Sequence, residues 1–272
     1  MRPSRDRRRL GLLLLGLCSG VGGWSAGCQS QPLAGERSAG HRPLLLWGEV
    51  HDHPALHAHR LAAFDALLAG GARPALVLEM LDRERQPELQ RLRAGGADAA
   101  ALVSAMGGRG WHWPFYQPWI ERALAQSLPL VAANVGRDEA RRVMTDGLAP
   151  HGFDPAVPEP LLAAQAQLIE ASHCGLVDGP RARRMALAQV ARDQAMARAL
   201  QAHASRGALL LAGNGHVRRD IGVPQWLRKE LRQRAWVVGR VERGDATMAF
   251  DERHEFDPHP RPDPCAGMRA PR

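Results

Sequence analysis

The chain has 272 residues, which is enough for one large domain or two small ones and excludes a short peptide. Hydrophobic residues make up 45% and charged residues 24% of the sequence, and this balance excludes wholesale disorder and a multi-span membrane protein. The formal net charge of +8 is compatible with nucleic-acid binding, so the position of the basic residues along the chain matters.

The first 28 residues have the pattern of a bacterial export signal. A basic run, MRPSRDRRR, precedes an apolar run, LGLLLLGLCSGVGGW, and the tetrapeptide Ser-Ala-Gly-Cys that ends at Cys28. This tetrapeptide resembles a bacterial lipobox, although Ser25 stands where leucine is usual. We expect residues 1–27 to be a lipoprotein signal peptide, Cys28 to carry lipid and residues 28–42 to be a tether. A retained N-terminal membrane anchor is the alternative.

The signal peptide carries much of the positive charge. Its removal takes away five arginines and one aspartate, which lowers the formal net charge from +8 to about +4. We therefore expect no nucleic-acid partner. The expected partner is instead a lipid bilayer, and the expected location is a bacterial membrane, with the outer membrane preferred.

Two cysteines remain in the predicted mature chain besides the lipidated one, since Cys18 lies in the signal peptide. Cys174 and Cys265 are the only disulfide partners available there, and an exported protein lies in an oxidising space that permits the bond. Their spacing leaves the pairing open. The absence of a Cys-x-x-Cys motif excludes a cysteine-rich zinc site.

Short apolar runs alternate with helical patterns along the chain, beginning at Pro43. The apolar runs predict strands buried on both faces, at residues 44–48, 75–79, 130–134, 208–212 and 236–241. The helical patterns lie between them, at residues 54–69, 87–106 in two pieces, 117–127, 137–148, 158–172, 180–204 and 224–233. This alternation predicts an α/β fold with a mostly parallel central sheet flanked by helices.

Residues 43–250 are expected to form a single α/β domain. Within it, residues 136–207 contain no predicted strand and two long helices, so we interpret them as a helical insertion or lid subdomain. Residues 251–272 are rich in proline and predict an irregular, partly disordered tail.

Polar side chains follow four of the predicted strands. Glu49 and His51 come after the first strand, and Glu79 ends the second. Asn134, Asn214 and His216 end or follow the third and fourth. Because the carboxyl ends of parallel strands meet at one edge of a sheet, we expect these side chains to share a catalytic or metal-binding cleft. The alternative is that each is simply the polar residue at which a buried strand ends.

Two histidines in the segment after the first strand have a spacing that suits a metal site. His53 and His57 are four residues apart, so they share one face of a helix. The segment lacks the glutamate that follows the first histidine in the metalloprotease pattern. A histidine-rich surface face is the alternative interpretation.

A glycine-containing turn follows the fourth strand. Gly213-Asn-Gly-His216 resembles the start of a dinucleotide-binding loop, but Arg218 stands where the third glycine is required. We therefore exclude nucleotide binding and expect the turn to direct His216 into the cleft. Arg218 and Arg219 are expected to form a solvated basic turn, with anion binding as the alternative.

Aromatic residues are concentrated between Trp111 and Trp119, around the single tyrosine of the chain, Tyr116. This segment suits a flat apolar ligand or a partner surface, and packing against the core is the alternative. His173 closes the first long helix of the predicted insertion, and Arg192 lies midway along the second, beside an aspartate. An ion pair without functional meaning is the alternative explanation of that arginine.

Six segments, in order along residues 43–240, resemble the ChaN-like haem-binding lipoprotein family: GEVHDHP with its following histidine, VLEM, W-x-W-P-x-Y, HCG, RDQAMA and AGNGHVRRDIGVP. The resemblance implies a role in haem and iron uptake at the bacterial surface. More distantly, the chain resembles the erythromycin esterase and Tiki/TraB group, in which two Gly-x-x-His motifs flank catalytic carboxylates. Gly48–His51 and Gly213–His216 match those motifs, with Glu49 and Glu79 as the carboxylates.

The resemblance also implies particular site residues. The haem ligand of the family is a tyrosine, which implies that Tyr116 ligates haem iron and that basic or histidine residues hold the propionates. His173 and Arg192 are the further cofactor-binding candidates.

Two function classes stay open after the sequence is considered. One is a lipid-anchored protein that binds haem, either alone or with a second copy of the chain. The other is a hydrolase of a small ester or peptide. In it Glu49 or Glu79 would be the general base, and His51 and His216 would be divalent-metal ligands or acid/base partners. A scaffold without activity is the third alternative.

Overall fold

The computed structural model describes residues 43–245, 248–263 and 265–266. The predicted signal peptide (1–27), the tether (28–42) and the lipidation site Cys28 lie outside the described residues.

Six parallel strands form one central sheet, in the order β3-β2-β4-β1-β5-β6. The strands are β1 (Leu44–Glu49), β2 (Ala75–Asp82), β3 (Leu130–Asn134), β4 (Ala208–Gly213), β5 (Ala235–Glu242) and β6 (Glu252–Phe256). Every residue of β1 and β4 is buried, as expected for strands covered on both faces. The predicted α/β fold with a mostly parallel sheet is confirmed.

The described residues form nine α-helices, most of which lie where the apolar periodicity predicts them. They are α1 (Pro54–Ala69), α2 (Gln86–Ala94), α3 (Ala99–Met106), α4 (Gln117–Ala125), α5 (Arg137–Asp146), α6 (Glu159–Ser172), α7 (Gly179–Ala202), α8 (Asn214–Val217) and α9 (Lys229–Arg234). Short 3₁₀ turns occupy Arg83–Arg85, Trp113–Phe115, Ala149–His151 and Val223–Trp226. Proline occupies a first-turn position of α1, where its missing N–H costs no hydrogen bond.

Alternate residues of the strands pack on opposite faces of the sheet. On one face Leu45 and Trp47 contact a layer that includes α1 and α4, through residues such as Phe64 and Trp119. On the other face Leu44, Leu46, Val77 and Leu210 contact α7 and the segment after β4, through residues such as Met196, Leu200 and Leu227. The two layers bury the sheet, so its carboxyl edge is the place where polar side chains can gather.

Residues 136–207, interpreted from the sequence as a helical insertion or lid subdomain, contain α5, α6 and α7 and no strand. The C-terminal half of α7 packs directly on the sheet through Met196 and Leu200. Val190 and Ala191 pack against residues of α5 and α6, such as Val143. The segment is therefore one of the two layers that cover the sheet.

The tail differs from the sequence prediction, since residues 252–256 form the edge strand β6, parallel to β5. Proline-rich sequence begins only after this strand. Arg261 then forms ion pairs with Asp52 and Glu242. A disulfide joins Cys174, in the turn between α6 and α7, to Cys265, with Cα atoms 5.7 Å apart. The tail is thus fixed at several points along the domain.

Within the part of the chain that the structure describes, no helix is long and apolar enough to cross a bilayer.

Candidate functional site

A cleft of about 400 Å³ lies at the carboxyl edge of the sheet, a size in the usual range for small-molecule sites. It forms where the adjacent strands β2, β4 and β1 end. Its lining residues are His51, Glu79, Arg109, Gly110, Trp111, Asn134, Gln189, Arg192 and His216. The structure thus brings together His51, Glu79 and His216, which the sequence placed at three different strand ends, and Glu49 lies next to His51.

Two glycines allow the strand ends to approach one another. A Cβ atom added at Gly48 would lie 2.2 Å from Oδ1 of Asn214, and one added at Gly213 would lie 3.1 Å from the His51 ring. Any larger side chain at these positions would push apart the segments that carry the polar groups. The glycines of the two Gly-x-x-His motifs therefore act by permitting close packing at the edge of the cleft.

Below His51 lies a buried cluster centred on the carboxylate of Glu49. Oε1 of Glu49 lies 2.7 Å from Nδ1 of His51 and accepts a 2.5 Å hydrogen bond from the hydroxyl of Tyr116. Oε2 of Glu49 faces the guanidinium of Arg60 and lies 3.7 Å from Nδ1 of His57. Glu49, Arg60, Tyr116 and His57 are all buried, whereas 49% of the His51 side chain is exposed. His51 and Trp111, whose ring lies 5.6 Å from that of Tyr116, connect this cluster to the cleft.

Burial shifts the pKa values of the groups around Glu49. It lowers the pKa of Arg60 to about 9 and the pKa of His57 to about 4. It also raises the pKa of the Tyr116 phenol well above its usual range. At neutral pH, Arg60 is therefore a cation, His57 is neutral and Tyr116 keeps its proton.

A second polar group lines the cleft near the carboxyl ends of β2 and β4. Nδ1 of His216 lies 2.6 Å from Oδ1 of Asp193, and Nε2 of His216 lies 3.4 Å from Oε1 of Glu79. Asp193 is fully buried and accepts a 3.2 Å hydrogen bond from Gln165. The other oxygen of Glu79 accepts a 2.8 Å hydrogen bond from the backbone N–H of Gly213. The result is an imidazole held between two carboxylates.

Burial and neighbouring charges shift the pKa values of His216, Asp193 and Glu79. Burial alone would lower the pKa of His216, but Glu79 and Asp193 together raise it above its usual range. Burial also raises the pKa of Asp193. For Glu79, burial is outweighed by His216, His51 and the Gly213 N–H, which together lower its pKa. The two carboxylates thus favour the protonated form of the His216 imidazole.

The rim of the cleft combines positive charge with one aromatic wall. Trp111 packs edge-on against the His51 ring, with ring centroids 4.8 Å apart. Arg109 and Arg192 line the opening, and Arg192 interacts electrostatically with Glu79. A ligand that is flat and carries carboxylates matches this combination.

Two of the predicted cofactor-binding residues do not line the cleft. Tyr116 is 1% exposed and its hydroxyl is bonded to Glu49, so the prediction that it ligates haem iron is not supported by its position. His173 caps the end of α6, where Nδ1 bonds the carbonyl of Ile169. The third candidate, Arg192, does line the cleft.

The predicted metal ligands are also placed differently from the expectation. His53 is the N-cap of α1 and accepts a hydrogen bond from Leu56, and His57 is buried beneath the loop that carries His51. Among the described residues, no group of three or more His, Cys, Asp or Glu side chains could hold a metal ion. The divalent-metal role of His51 and His216 therefore has no support in the geometry.

Sequence reasoning missed Arg60 and considered Asp193 only as the neighbour of Arg192. Arg60 interrupts the buried stripe of α1 that also contains Leu56 and Phe64, and a charge within an apolar stripe is the signal that indicates it. Asp193 lies in an alanine-rich stretch of α7 whose neighbours are buried, so the same signal applies. Their partners lie outside these helices, since Glu49 precedes Arg60 by 11 residues and His216 follows Asp193 by 23.

The family described as "Haem-binding uptake, Tiki superfamily, ChaN" matches residues 37–227. The chain belongs to this family. Among solved structures, it is similar to one described as "Cofacial heme binding to ChaN of Campylobacter jejuni", with a TM-score of 0.66 and 20% identity over 78% of this chain and 86% of that one. This likeness supports the same fold.

A weaker structural likeness is to the type III effector HopBA1, with a TM-score of 0.41 and 14% identity over 75% of this chain and 80% of that one. No curated protein matches the chain. The membership in the ChaN family therefore rests on the family match.

Proposed function

We propose that this ChaN-family protein binds haem in the cleft at the carboxyl edge of its sheet, where His51 would hold the iron. The bonding and the exposure of the His51 ring carry the proposal. Nδ1 is bonded to Glu49, the ring is half exposed, and Nε2 has no hydrogen-bond partner in the part of the chain described by the structure. Metal-ligating histidines have this arrangement, with one nitrogen tied to a carboxylate.

The other residues of the cleft fit the remaining parts of a haem. The indole of Trp111 offers an apolar surface beside His51, and Arg109 and Arg192 offer positive charge for the two propionates. Haem supplies a ferric iron that accepts one nitrogen lone pair when it is bound. Glu49 orients the His51 ring, so the protein holds this ligand in place before haem arrives.

The haem proposal is tested by titrating the purified protein with haemin and recording its absorption spectrum. His51→Gln keeps a hydrogen-bond donor next to Glu49 and removes the imidazole, so we expect haemin affinity to fall by about tenfold or more. Tyr116→Phe removes only the buried hydroxyl and should leave the iron ligand in place. His112→Gln removes an exposed histidine near the cleft and is the matched control.

Two outcomes would contradict the assignment of His51. One is equal haemin affinity in the His51→Gln and His112→Gln variants. The other is the loss of the ligand-dependent absorption bands in Tyr116→Phe alone, which would assign the iron ligand to the tyrosine.

A second candidate function is favoured by the arrangement of Asp193, His216 and Glu79. In an ester hydrolase, Glu79 would accept a proton from the attacking water, and His216 would give a proton to the leaving alcohol. Asp193 would hold the imidazole in the required orientation. This function uses Glu79 and His216, which line the same cleft as His51.

The hydrolase candidate is tested by turnover of p-nitrophenyl acetate by the purified protein. Glu79→Gln and Asp193→Asn should each lower turnover by about 10²-fold or more. The matched control is Asp146→Asn, because Asp146 pairs with His151 at 3.2 Å and does not line the cleft. Turnover that is unchanged in the Glu79 and Asp193 variants rules out this candidate.

The lipoprotein part of the proposal comes from the sequence alone. We propose that Cys28 carries lipid and that the haem-binding domain is held at the surface of a bacterial membrane for iron acquisition. The polar segment 28–42 would then be the tether between lipid and domain.

A further inference from the structure

Arg60 is a buried cation next to the cleft that does not line it. Its side chain is 0% exposed, contacts Oε2 of Glu49 and lies over the ring of Trp119 at 5.2 Å. Burying an ion pair gains little stability over well-packed apolar residues, because both charges lose their hydration. Stability alone therefore does not explain why an arginine occupies this position.

The two oxygens of Glu49 have different partners. Oε1 accepts from Tyr116 and lies at hydrogen-bond distance from His51, whereas Oε2 faces Arg60. Oε2 has no hydrogen bond of good geometry, so its contact with Arg60 is an attraction between opposite charges. Turning the carboxylate would cost that attraction and both Oε1 contacts. Arg60 on Oε2 and Tyr116 on Oε1 thus hold Glu49 in its orientation.

We propose that Arg60 is a positioning residue for His51. By holding Oε2 of Glu49, it directs Oε1 at Nδ1 of His51. That oxygen stabilises the tautomer of His51 whose proton is on Nδ1, and Nε2 then presents its lone pair to the cleft. This inference deepens the proposed function. Its predicted effect on haemin affinity rests on that function, whereas its predicted effect on the His51 tautomer does not.

The arrangement explains why the cluster is buried while His51 is not. Glu49, Arg60 and Tyr116 are excluded from water, so competition by water for the Glu49 oxygens is weak. Partners that orient a ligating histidine typically contribute 10- to 100-fold to affinity. We therefore expect Arg60 to affect haemin binding although it cannot touch the haem.

The test measures the tautomer of His51 without haem. Protein labelled with ¹⁵N-histidine is examined by long-range ¹H–¹⁵N correlation at mildly alkaline pH, and the His51 signals are assigned by their loss in His51→Gln. Wild type should show the Nδ1–H tautomer. Arg60→Met should show a mixture in which the Nε2–H tautomer has gained, together with an approximately tenfold loss of haemin affinity. Arg60→Lys keeps the charge and should partly restore the Nδ1–H tautomer.

Arg240→Met is the matched control, because Arg240 is also 0% exposed and lies over a tryptophan, Trp47, at 4.9 Å. It should leave the His51 tautomer as in wild type. The proposal is overturned if Arg60→Met keeps the wild-type tautomer, or if Arg60→Met and Arg240→Met change it equally. The His51 tautomer is measured without haem, so either result is distinguishable from a failure of the haem proposal.

Arg60→Met leaves Glu49 buried without its partner and can therefore fail to fold. In that case Glu49→Gln is compared with the double variant Glu49→Gln/Arg60→Met, which removes both charges. If Arg60 acts only through Glu49, these two proteins should have the same His51 tautomer distribution. A difference between them contradicts the proposal.

Discussion

At the scale of single residues, close packing at Gly48 decides where the polar groups of the cleft lie. Asn214 packs against this glycine and bonds the backbone of Arg240 through both its amide nitrogen and its amide oxygen. It therefore joins the ends of β1 and β5, and the short helix α8 that begins at Asn214 carries His216. The position of His216 depends on the missing side chain at Gly48.

Gly48→Ala tests this dependence. The added methyl group would lie 2.2 Å from Asn214 and 2.8 Å from Val217, so both residues must move. We expect the free energy of unfolding to fall by about 1–3 kcal/mol, as for other overpacked cores. The measurement is urea denaturation followed by circular dichroism.

The control for Gly48→Ala is Gly215→Ala, which lies in the same strand-end region. A Cβ atom at Gly215 would meet no atom within 4 Å, and alanine favours the helical conformation there. Equal unfolding midpoints for the two variants would show that packing at Gly48 does not matter.

At the scale of elements, helix α7 contributes residues both to the hydrophobic core and to the cleft. Its C-terminal half packs on the sheet through Met196 and Leu200, whereas Gln189, Arg192 and Asp193 reach the cleft or its buried partners. The sequence predicted this helix within a helical insertion or lid, and the structure places its C-terminal half on the sheet. A helix pattern shows which residues share a face but not which layer that face contacts.

The C-terminal tail is the other element that depends on distant contacts. Arg261 pairs with Glu242 and lowers the pKa of that carboxyl to about 2, and it also pairs with Asp52, next to His51. The disulfide at Cys265 attaches the tail to the turn before α7. The tail is therefore attached both to the loop after β1, through Arg261, and to the helical layer, through the disulfide at Cys265.

At the scale of the whole molecule, the sequence predicts a lipid-anchored domain. Cys28→Ala removes the residue that would carry lipid, so we expect the protein to leave the membrane fraction of expressing bacterial cells. The measurement is fractionation followed by immunoblotting. Ser25→Leu, which brings the tetrapeptide closer to the usual lipobox, should stay membrane-bound. A Cys28→Ala protein that remains in the membrane fraction through an uncleaved N-terminus contradicts the lipoprotein proposal.

The sequence by itself determined the layered α/β fold and one edge of the cleft. Apolar runs and helical periodicity are local signals, and parallel strands place their carboxyl ends together, so His51, Glu79 and His216 could be predicted to converge. Short segments of the sequence also carried the resemblance of the chain to the ChaN family, and the family match over residues 37–227 confirms it.

Only the tertiary structure decided which of these groups are buried and what they contact. Tyr116 contacts Glu49 across 67 residues of sequence, and the disulfide spans 91. Burial and pairing between such distant segments leave no local pattern, so the sequence could not distinguish a buried tyrosine from an exposed ligand. The strand β6 is a further example. The composition of residues 252–256 does not predict a strand, and their backbone is ordered by pairing with β5.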